Sequence, residues 1–445
     1  MFFCLFHGTM GNRTEGFICT TDPMHYEKIV LKNGLRVILA PMRETQTMTV
    51  LMMTGTGSRY ETRKQNGLSH FLEHMFFKGT KKRPTSLSIS EELDAVGGDY
   101  NAYTAKDRTG YYAKVDARHA DVALDVVSDI FLNSKIDQEE IDRERGAILQ
   151  ELAMYEDTPR RKVGDLFEEL LYGDTPLGWD IIGTKENIRN FKRSDFMKYL
   201  DQHYVASNVV IGVAGKFDKK KVLAEIEKMF KGIRVGKKTD CKLLKDKQSK
   251  PAVFVKHKKT DQTQLVLGVR AFDFNHPDRY VLSILATILG GNMSSRMFIS
   301  VRERKGLAYN VSTFSDTMQD VGYLATQCGV EHANLEETIK TVLEEYKLIS
   351  QELVPERELS KAKEYIKGSA VMGLESSDEV VSYLVDQELI KGEIKLPEEV
   401  FAKIDAVTAE DVMRVAQAIF VEKTLNLAVI GPHKAVKKLE GLLRL

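Results

Sequence analysis

Residues 70–74 read HFLEH, in a segment whose other side chains from Leu68 to Phe77 are almost all apolar. A segment that is apolar nearly all round predicts a buried helix. His70, Glu73 and His74 stand at positions i, i+3 and i+4, so a helix places them on one face. Packing alone does not explain three polar side chains on a buried helix.

Metal binding explains this pattern best. Two imidazoles one helical turn apart have the spacing for two nitrogen ligands of one zinc ion. Glu73, between them, stands where it can deprotonate a zinc-bound water. The order HxxEH is the inverse of the HExxH order, and both are zinc-binding motifs. The alternative is a pair of core histidines with satisfied hydrogen bonds and no metal.

A catalytic zinc usually has three protein ligands and a water, so a third ligand has to come from elsewhere. The predicted helix IDRERGAILQELAMYE (141–156) carries one buried stripe, formed by Ile141, Glu144, Ile148, Glu151 and Tyr155. Buried carboxylates need partners. We expect Glu151 to bind the metal and Glu144 to accept a hydrogen bond from a ligand histidine. The alternative is that both form ion pairs with Arg143, Arg145 or Lys162.

The composition of the 445-residue chain excludes some classes of partner. Lys plus Arg and Asp plus Glu number 64 each, so no basic surplus indicates nucleic acid or an anionic membrane. The four cysteines are scattered, which argues against a disulfide framework. No stretch has the ~18–20 apolar residues needed to span a membrane. These features predict a cytoplasmic protein.

The order of predicted strands and helices occurs twice along the chain. SDFMKYLDQHYVASNVVIGVAG (194–215) corresponds to AEDVMRVAQAIFVEKTLNLAVIG (409–431). LSHFLEH (68–74) aligns with LSILATI (282–288), which places Ile284, Thr287 and Ile288 at the positions of His70, Glu73 and His74. The pattern predicts an α+β fold of two homologous domains, each an antiparallel-rich sheet with helices packed on one face.

The predicted domain boundaries follow from this duplication. Residues 1–24 are expected to be a disordered extension, 25–230 the N-terminal zinc domain, and 231–251 a polar linker. Residues 252–445 form the homologous domain without the zinc motif.

Several motifs together resemble the pitrilysin/insulinase family of inverted-motif zinc metallopeptidases. They are HxxEH, Glu151 after 76 intervening residues, GLSHFLEHMFFKGTKKR (67–83) and GGDYNAYTAKDRTGYYAKV (97–115). The resemblance covers residues 26 to 445 and is to the short two-domain branch that includes the mitochondrial processing peptidase β subunit and bacterial relatives. It implies that His70, His74 and Glu151 bind one zinc per chain. Zinc-bound water then attacks the scissile carbonyl, with Glu73 as general base and Glu144 supporting a ligand.

The resemblance also implies how substrate is held. Asn101 and Ala102 match the family's sheet edge, which pairs with an extended peptide. Arg302 and Tyr309, seven residues apart, match a pair that positions the substrate backbone and stabilises the oxyanion; taken alone, they would be a surface charge and a core aromatic. In this branch two half-chambers enclose peptides or unfolded segments, so we expect a homodimer or a heterodimer with an inactive homologue.

One stretch departs from the family. EDTPRRK (156–162) has Arg160, Arg161 and Lys162 where processing-type relatives carry acids that recognise a basic substrate residue. A preference for arginine near the cut is therefore not carried over.

Two other functions compete with a peptidase. A non-catalytic scaffold subunit shares the fold, but such subunits typically lose zinc ligands, and all five site residues are present here. A module with structural zinc would need four ligands, whereas the sequence offers three and a base.

Overall fold

The computed structural model of the chain describes residues 24–244 and 248–445. Apart from Met24, the extension predicted for residues 1–24 lies outside these ranges. None of the helices within them is both long and apolar enough to cross a membrane.

The described residues form two sheets, one in each half of the chain. The strands of the first are β1 (Glu27–Val30), β2 (Arg36–Pro41), β3 (Thr47–Thr54), β4 (Asp99–Thr104), β5 (Thr109–Asp116) and β6 (Val209–Gly215). Those of the second are β7 (Ala252–His257), β8 (Thr263–Ala271), β9 (Ala308–Thr317), β10 (Gly322–Val330) and β11 (Leu425–Gly431). A turn at Asn33-Gly34 joins β1 to β2, and Gly34 has φ +88° there, a conformation that glycine adopts without strain.

The two sheets have the same topology. Their strand orders are β1-β2-β6-β3-β5-β4 and β7-β11-β8-β10-β9. β2 pairs parallel with β6, as β7 does with β11, and all other neighbours are antiparallel. The predicted α+β duplication is therefore confirmed, with β1 as an additional edge strand in the first half.

Fifteen α-helices are found in the described ranges. The first half contains α1 (Leu68–Met75), α2 (Ser86–Asp94), α3 (Ala120–Asn133), α4 (Gln138–Glu156), α5 (Pro159–Tyr172), α6 (Lys185–Asn190), α7 (Arg193–His203) and α8 (Lys219–Met229). The second contains α9 (Arg279–Gly290), α10 (Leu335–Gln351), α11 (Glu356–Gly373), α12 (Ser377–Lys391), α13 (Pro397–Asp405), α14 (Ala409–Ile419) and α15 (Val436–Glu440).

Each sheet buries one face under helices of its own half. Alternate residues of the first sheet, such as Val50 and Met52 of β3, pack against α1, α3 and α7. Leu265 and Leu267 of β8 pack in the same way against α9, α10 and α14. This layer is the arrangement that the sequence predicts.

The second face of each sheet is covered by a helix from the opposite half, which the sequence analysis did not foresee. α12 places Val381, Leu384 and Val385 on the outer face of the first sheet. α5 covers the second sheet with Leu166 and Phe167. Strands buried on both faces are apolar at consecutive positions, as in β6, where every residue is buried. The hydrophobic clusters on these second faces therefore each combine residues from both halves of the chain, and the boundaries predicted for the linker at 231–251 stay a prediction.

α1 follows β3 and α9 follows β8, which are equivalent strands of the two sheets. In α9 the residues aligned with the polar triplet are buried and pack as ordinary core: Ile284 is 0% exposed and Ile288 2%. The hydroxyl of Thr287 donates to the backbone carbonyl of Ser283. The same place in the fold is thus filled without metal-ligating side chains.

Candidate active site

α1 carries the polar triplet and begins at a tightly constrained turn. Gly67 precedes the helix with φ +98°, and a Cβ there would lie 2.6 Å from the carbonyl oxygen of Ile182. The buried Glu61 carboxylate accepts hydrogen bonds from the backbone N–H groups of Gly67 and Ser69, at 2.9 and 2.7 Å. A carboxylate at the N-terminus of a helix caps free N–H groups and complements the helix dipole. The apolar side, with Phe71 and Leu72 at 0% exposure, then fixes the direction of the triplet.

α4 brings the two predicted carboxylates to this face of α1. Ile141 and Ile148 are fully buried and anchor the stripe that also carries Glu144 and Glu151. The ion pairs considered as the alternative are not formed. Arg143 pairs with Glu140, Arg145 with Asp142 and Lys162 with Asp180.

The ligand atoms of His70, His74 and Glu151 converge. The Nε2 atoms of His70 and His74 lie 3.5 and 3.4 Å from the two carboxylate oxygens of Glu151. Among the described residues these three form a group whose ligand atoms all lie within 4.8 Å of one another. Ligands at about 2.0–2.2 Å from a tetrahedral zinc are roughly 3.3–3.6 Å apart. The donor set and its spacing therefore fit zinc, with a fourth position left for water or substrate.

Glu144 holds the second nitrogen of His74. The Nδ1–H group of His74 donates to Glu144 Oε1 at 2.9 Å, which leaves Nε2 free to bind a metal. Lys78 contacts the other oxygen of Glu144 at 2.5 Å. The sequence predicts the Glu144 contact but not Lys78, which lies just beyond the end of α1, four residues after His74.

The charges of the cluster suit a divalent cation. Burial by itself raises the pKa of Glu151, but hydrogen bonds from His70, His74 and Tyr155 outweigh it and hold that pKa well below its usual value. Burial opposes a charge on His74, whereas its hydrogen bonds to Glu144 and Glu151 raise the pKa of His74 to about 9. Burial also opposes the charge on Glu144, but hydrogen bonds from His74 and Lys78 lower its pKa overall. Both carboxylates are therefore ionised at neutral pH, and a metal ion would compete with a proton on His74.

Glu73 does not belong to the ligand group and faces a cavity of about 600 Å³. Its carboxylate accepts a hydrogen bond of 2.5 Å from the hydroxyl of Thr104 on β4. Asn101 and Ala102 of β4 line the same cavity, and β4 is one of the two edge strands of its sheet. Thr104 was missed by the sequence analysis, although the two-residue period of a strand places it on the side of Ala102.

Arg302 and Tyr309 do not line this cavity, and Tyr309 lines a different one together with Arg160. The guanidinium of Arg302, in a π-helical segment over Phe298–Arg304, sits 4.6 Å from the ring centroids of both Phe298 and Tyr309. Tyr309 is 71% exposed, so the interpretation of it as a core aromatic is wrong. The structure brings Arg302 and Tyr309 together on the surface of the second half.

The three basic residues that follow Glu151, Arg160 to Lys162, lie in different environments. Arg161 lines the cavity and lies 3.5 Å from the centroid of the Tyr155 ring. Arg160 lies outside the cavity, and its backbone carbonyl accepts from Gln327. Lys162 is buried against Asp180 at 2.7 Å.

Comparison with known families divides the chain in two. Residues 36–185 match the family described as "Insulinase (Peptidase family M16)". Residues 190–366 match the "Peptidase M16 inactive domain".

Similar proteins extend over almost the whole chain. The "uncharacterized zinc protease YmxG" of Bacillus subtilis is 36% identical over 407 residues, which cover 91% of this chain and 98% of that protein. An "uncharacterized zinc protease" of Rickettsia felis is 36% identical over 409 residues, 91% of this chain and 97% of the relative.

Solved structures share the fold at lower identity. A protease from Helicobacter pylori has a TM-score of 0.85 at 23% identity and covers 92% of this chain and 100% of its own. A chain of Complex III2 from Candida albicans has a TM-score of 0.81 at 19% identity, covering 94% and 100%. These likenesses concern the fold, whereas the relatives above 30% identity establish the family. The chain belongs to the insulinase-type peptidase family, M16.

Proposed function

We propose that this chain is a zinc-dependent endopeptidase that hydrolyses peptides or unfolded segments. The observation that carries the proposal is the convergence of His70, His74 and Glu151 on a cavity into which a fourth side chain, Glu73, brings a carboxylate outside the ligand group. A structural zinc site closes all four positions with protein ligands. Three ligands with a separate base are typical of a hydrolytic site.

In this proposal His70, His74 and Glu151 hold the metal, one per chain. Bound zinc supplies a Lewis acid that lowers the pKa of water toward neutrality and polarises a peptide carbonyl. Glu73 takes a proton from the attacking water and passes it to the leaving amine. Thr104 orients Glu73 through their hydrogen bond, and Glu144 keeps His74 in the tautomer whose Nε2 is free for the metal.

The substrate is proposed to add to the edge of the first sheet. β4 is an edge strand beside the cavity, and an extended peptide can pair with the backbone groups of such a strand. Asn101 and Ala102 would lie under the peptide. Backbone pairing tolerates many side chains, so this contact alone gives little sequence specificity.

A second subunit is proposed to complete the site. Arg302 and Tyr309 lie outside the cavity of their own chain, and Tyr309 is largely exposed. If they position substrate and stabilise the oxyanion, they must reach a cavity on another chain. A homodimer meets this requirement because each copy carries both parts; a heterodimer with an inactive homologue would use only one zinc site. A cytoplasmic location stays a prediction of the sequence.

Cleavage of a quenched, unstructured peptide tests the proposal. Purified wild-type chain, Glu73→Gln and the control Glu139→Gln, an exposed glutamate of α4, are compared with and without a chelator, and bound zinc is measured. We expect metal-dependent turnover in wild type and control, and a loss of at least about 10²-fold in Glu73→Gln, since general-base catalysis contributes about 10²–10⁴-fold. Zinc content should stay near one per chain.

The alternative function is that of a non-catalytic scaffold subunit, since a chain of Complex III2 shares the fold. It predicts no turnover in wild-type protein, with or without zinc. Turnover that survives Glu73→Gln would reject the proposed base. Turnover that appears only after mixing with a second, different chain would favour the heterodimer.

A further inference from the structure

Arg161 lines the cavity of Glu73, and none of the steps proposed above uses it. It belongs to the first turn of α5, and the residue is exposed. The central carbon of its guanidinium lies 3.5 Å from the centroid of the Tyr155 ring. The hydroxyl of Tyr155 donates to Glu151 at 2.5 Å. A single tyrosine side chain therefore connects Arg161 to the proposed metal ligands.

The other basic side chains of the cavity are paired with acids. Of the described residues, three lysines or arginines line this cavity. Lys78 contacts Glu144 at 2.5 Å, and Lys106 lies 3.3 Å from Glu168. Arg161 differs, because no carboxylate oxygen in the described parts of the chain lies within 4.0 Å of its guanidinium nitrogens. It brings to the cavity a positive charge that no salt bridge with these residues neutralises.

Tyr155 orients the guanidinium of Arg161 and leaves it able to bind a ligand. A cation over an aromatic ring is held by the face of that ring, whereas the five N–H groups of a guanidinium lie in its own plane. One of them lies near the Tyr155 hydroxyl, and the others can donate elsewhere. In that plane a carboxylate can accept two parallel hydrogen bonds. A side chain restricted before binding loses less entropy when the ligand arrives.

Acidic side chains also line the cavity, but they contact lysines of the protein. Asp180 accepts from Lys162 at 2.7 Å, and Asp165 lies 3.5 Å from the same ammonium group. Asp165 follows Arg161 by four residues on α5, yet the two do not form the ion pair that this spacing allows. A basic substrate group would compete with Lys162 for these acids, whereas an acidic group meets an unpaired cation at Arg161.

We infer that Arg161 determines specificity by binding a carboxylate of the peptide substrate, either an acidic side chain or the C-terminal carboxylate. This inference rests on the proposed peptidase function. The peptide would lie along β4, whose Asn101 and Ala102 line the same cavity, and would place its carboxylate against the guanidinium. Such a contact forms in the bound substrate and persists during the reaction, so it should act on KM more than on kcat.

Binding is measured first, without cleavage. Glu73→Gln is titrated with labelled peptides of one Gly/Ser-rich sequence that carry Glu, Gln or Lys at a single central position. Each has a free or an amidated C-terminus, since amidation removes the terminal charge. A preference for Glu among the amidated peptides identifies an acidic side chain as the ligand. A preference for the free over the amidated C-terminus identifies the terminal carboxylate.

Either preference should be about 5–10-fold, between the values of an exposed ion pair and of a hydrogen bond to a charged group. It should shrink at about 0.5 M salt, which screens exposed charges. Equal binding of all six peptides, or tightest binding of the Lys peptides, would overturn the inference.

Variants of the same chain then assign the preference to Arg161. Arg161→Ala should remove it, and Arg161→Glu should reverse it toward the Lys peptides, which a purely structural role would not produce. Arg161→Lys should retain part of it, because an ammonium group keeps the charge but not the planar fork. The matched control is Arg160→Ala, the neighbouring arginine, which does not line this cavity and should leave the preference unchanged. A preference for carboxylates that persists in Arg161→Glu would overturn the inference.

Kinetics separates this inference from the peptidase proposal. In wild-type background, Arg161→Ala should raise KM for the preferred carboxylate peptide by about 5–10-fold, with kcat and the amidated Gln peptide changing by less than about twofold. An equal loss for all peptides, with zinc content intact, would assign Arg161 a structural role and overturn the inference while the peptidase stands. Absence of turnover in wild type would reject the peptidase proposal, and the titration would still decide whether Arg161 selects carboxylates.

Discussion

Truncation of Leu384 to alanine tests whether a helix of the second half stabilises the sheet of the first half. Leu384 belongs to α12 in the second half, yet it is 0% exposed and packs on the first sheet among Ile38, Leu51 and Val210. The substitution should therefore weaken the half of the molecule that carries the candidate zinc site, although the changed residue lies far away in sequence.

The size of the effect follows from the packing. Leu→Ala removes roughly three carbon groups worth ~0.8 kcal/mol each, and the cavity left behind adds to this cost. α12 is held against the sheet by ion pairs of Lys114 with Asp378 at 2.6 Å and Arg108 with Asp386 at 2.7 Å, so the gap cannot close easily. We expect a loss of about 3–4 kcal/mol in the free energy of unfolding, within the range of about 2–5 for buried leucines.

The assay combines urea unfolding with hydrogen exchange followed by mass spectrometry. In Leu384→Ala, amides of β3 and β6 should lose protection together with α12. The control Glu379→Ala removes an exposed side chain of the same helix and should stay within ~0.5 kcal/mol of wild type. Phe167→Ala in α5 makes the reverse test, since it should weaken the second sheet. Unchanged exchange in β3 and β6 of Leu384→Ala would refute the reasoning.

Three further outcomes are expected. Glu144→Ala should weaken zinc binding by about 10–100-fold, because His74 loses the acceptor that fixes its tautomer; competition with a fluorescent chelator measures this, and unchanged affinity would contradict it. Gly212→Val should destabilise the chain by at least ~1–3 kcal/mol in urea unfolding, since a Cβ at Gly212 would lie 2.4 Å from the Cγ2 methyl groups of Val381 and Val385 on α12. Burial lowers the pKa of His203 from 6.5 to about 4, so the folded state binds fewer protons than the unfolded state between these values. The free energy of unfolding should therefore fall as the pH is lowered through this window, by up to roughly 3 kcal/mol. His203→Phe should flatten that slope, and an identical slope would assign acid sensitivity to other groups.

Helix periodicity made much of the candidate site predictable. The i, i+3, i+4 spacing of His70, Glu73 and His74 depends on one helix, and the stripe with Glu144 and Glu151 depends on another. Both helices form where their apolar faces predict them. That the second helix packs against the first was predicted from the need for a third ligand and from a family resemblance, since no local rule joins His74 to Glu151 across 76 intervening residues.

Partner side chains from other elements were harder to predict. Thr104 reaches Glu73 from β4 and Lys78 reaches Glu144 from beyond α1. In the sequence, the basic stretch after Glu151 reads as a single replacement of acidic residues by basic ones. In the structure its residues differ, because Arg161 lines the cavity while Lys162 is buried against Asp180. Neighbouring residues on α5 point in different directions, so their roles depend on what each direction meets.

The sequence by itself determined the α+β duplication, the helices that carry the five polar residues, and the face on which each residue lies. These depend on propensity and on periods of 3.6 and 2 residues, which act over a few neighbours. Only the tertiary structure decided that α5 covers the second sheet and α12 the first, and that Arg302 and Tyr309 do not line the cavity of Glu73 in their own chain. Those outcomes depend on which faces meet after distant segments pack, and an apolar face alone does not specify the surface that covers it.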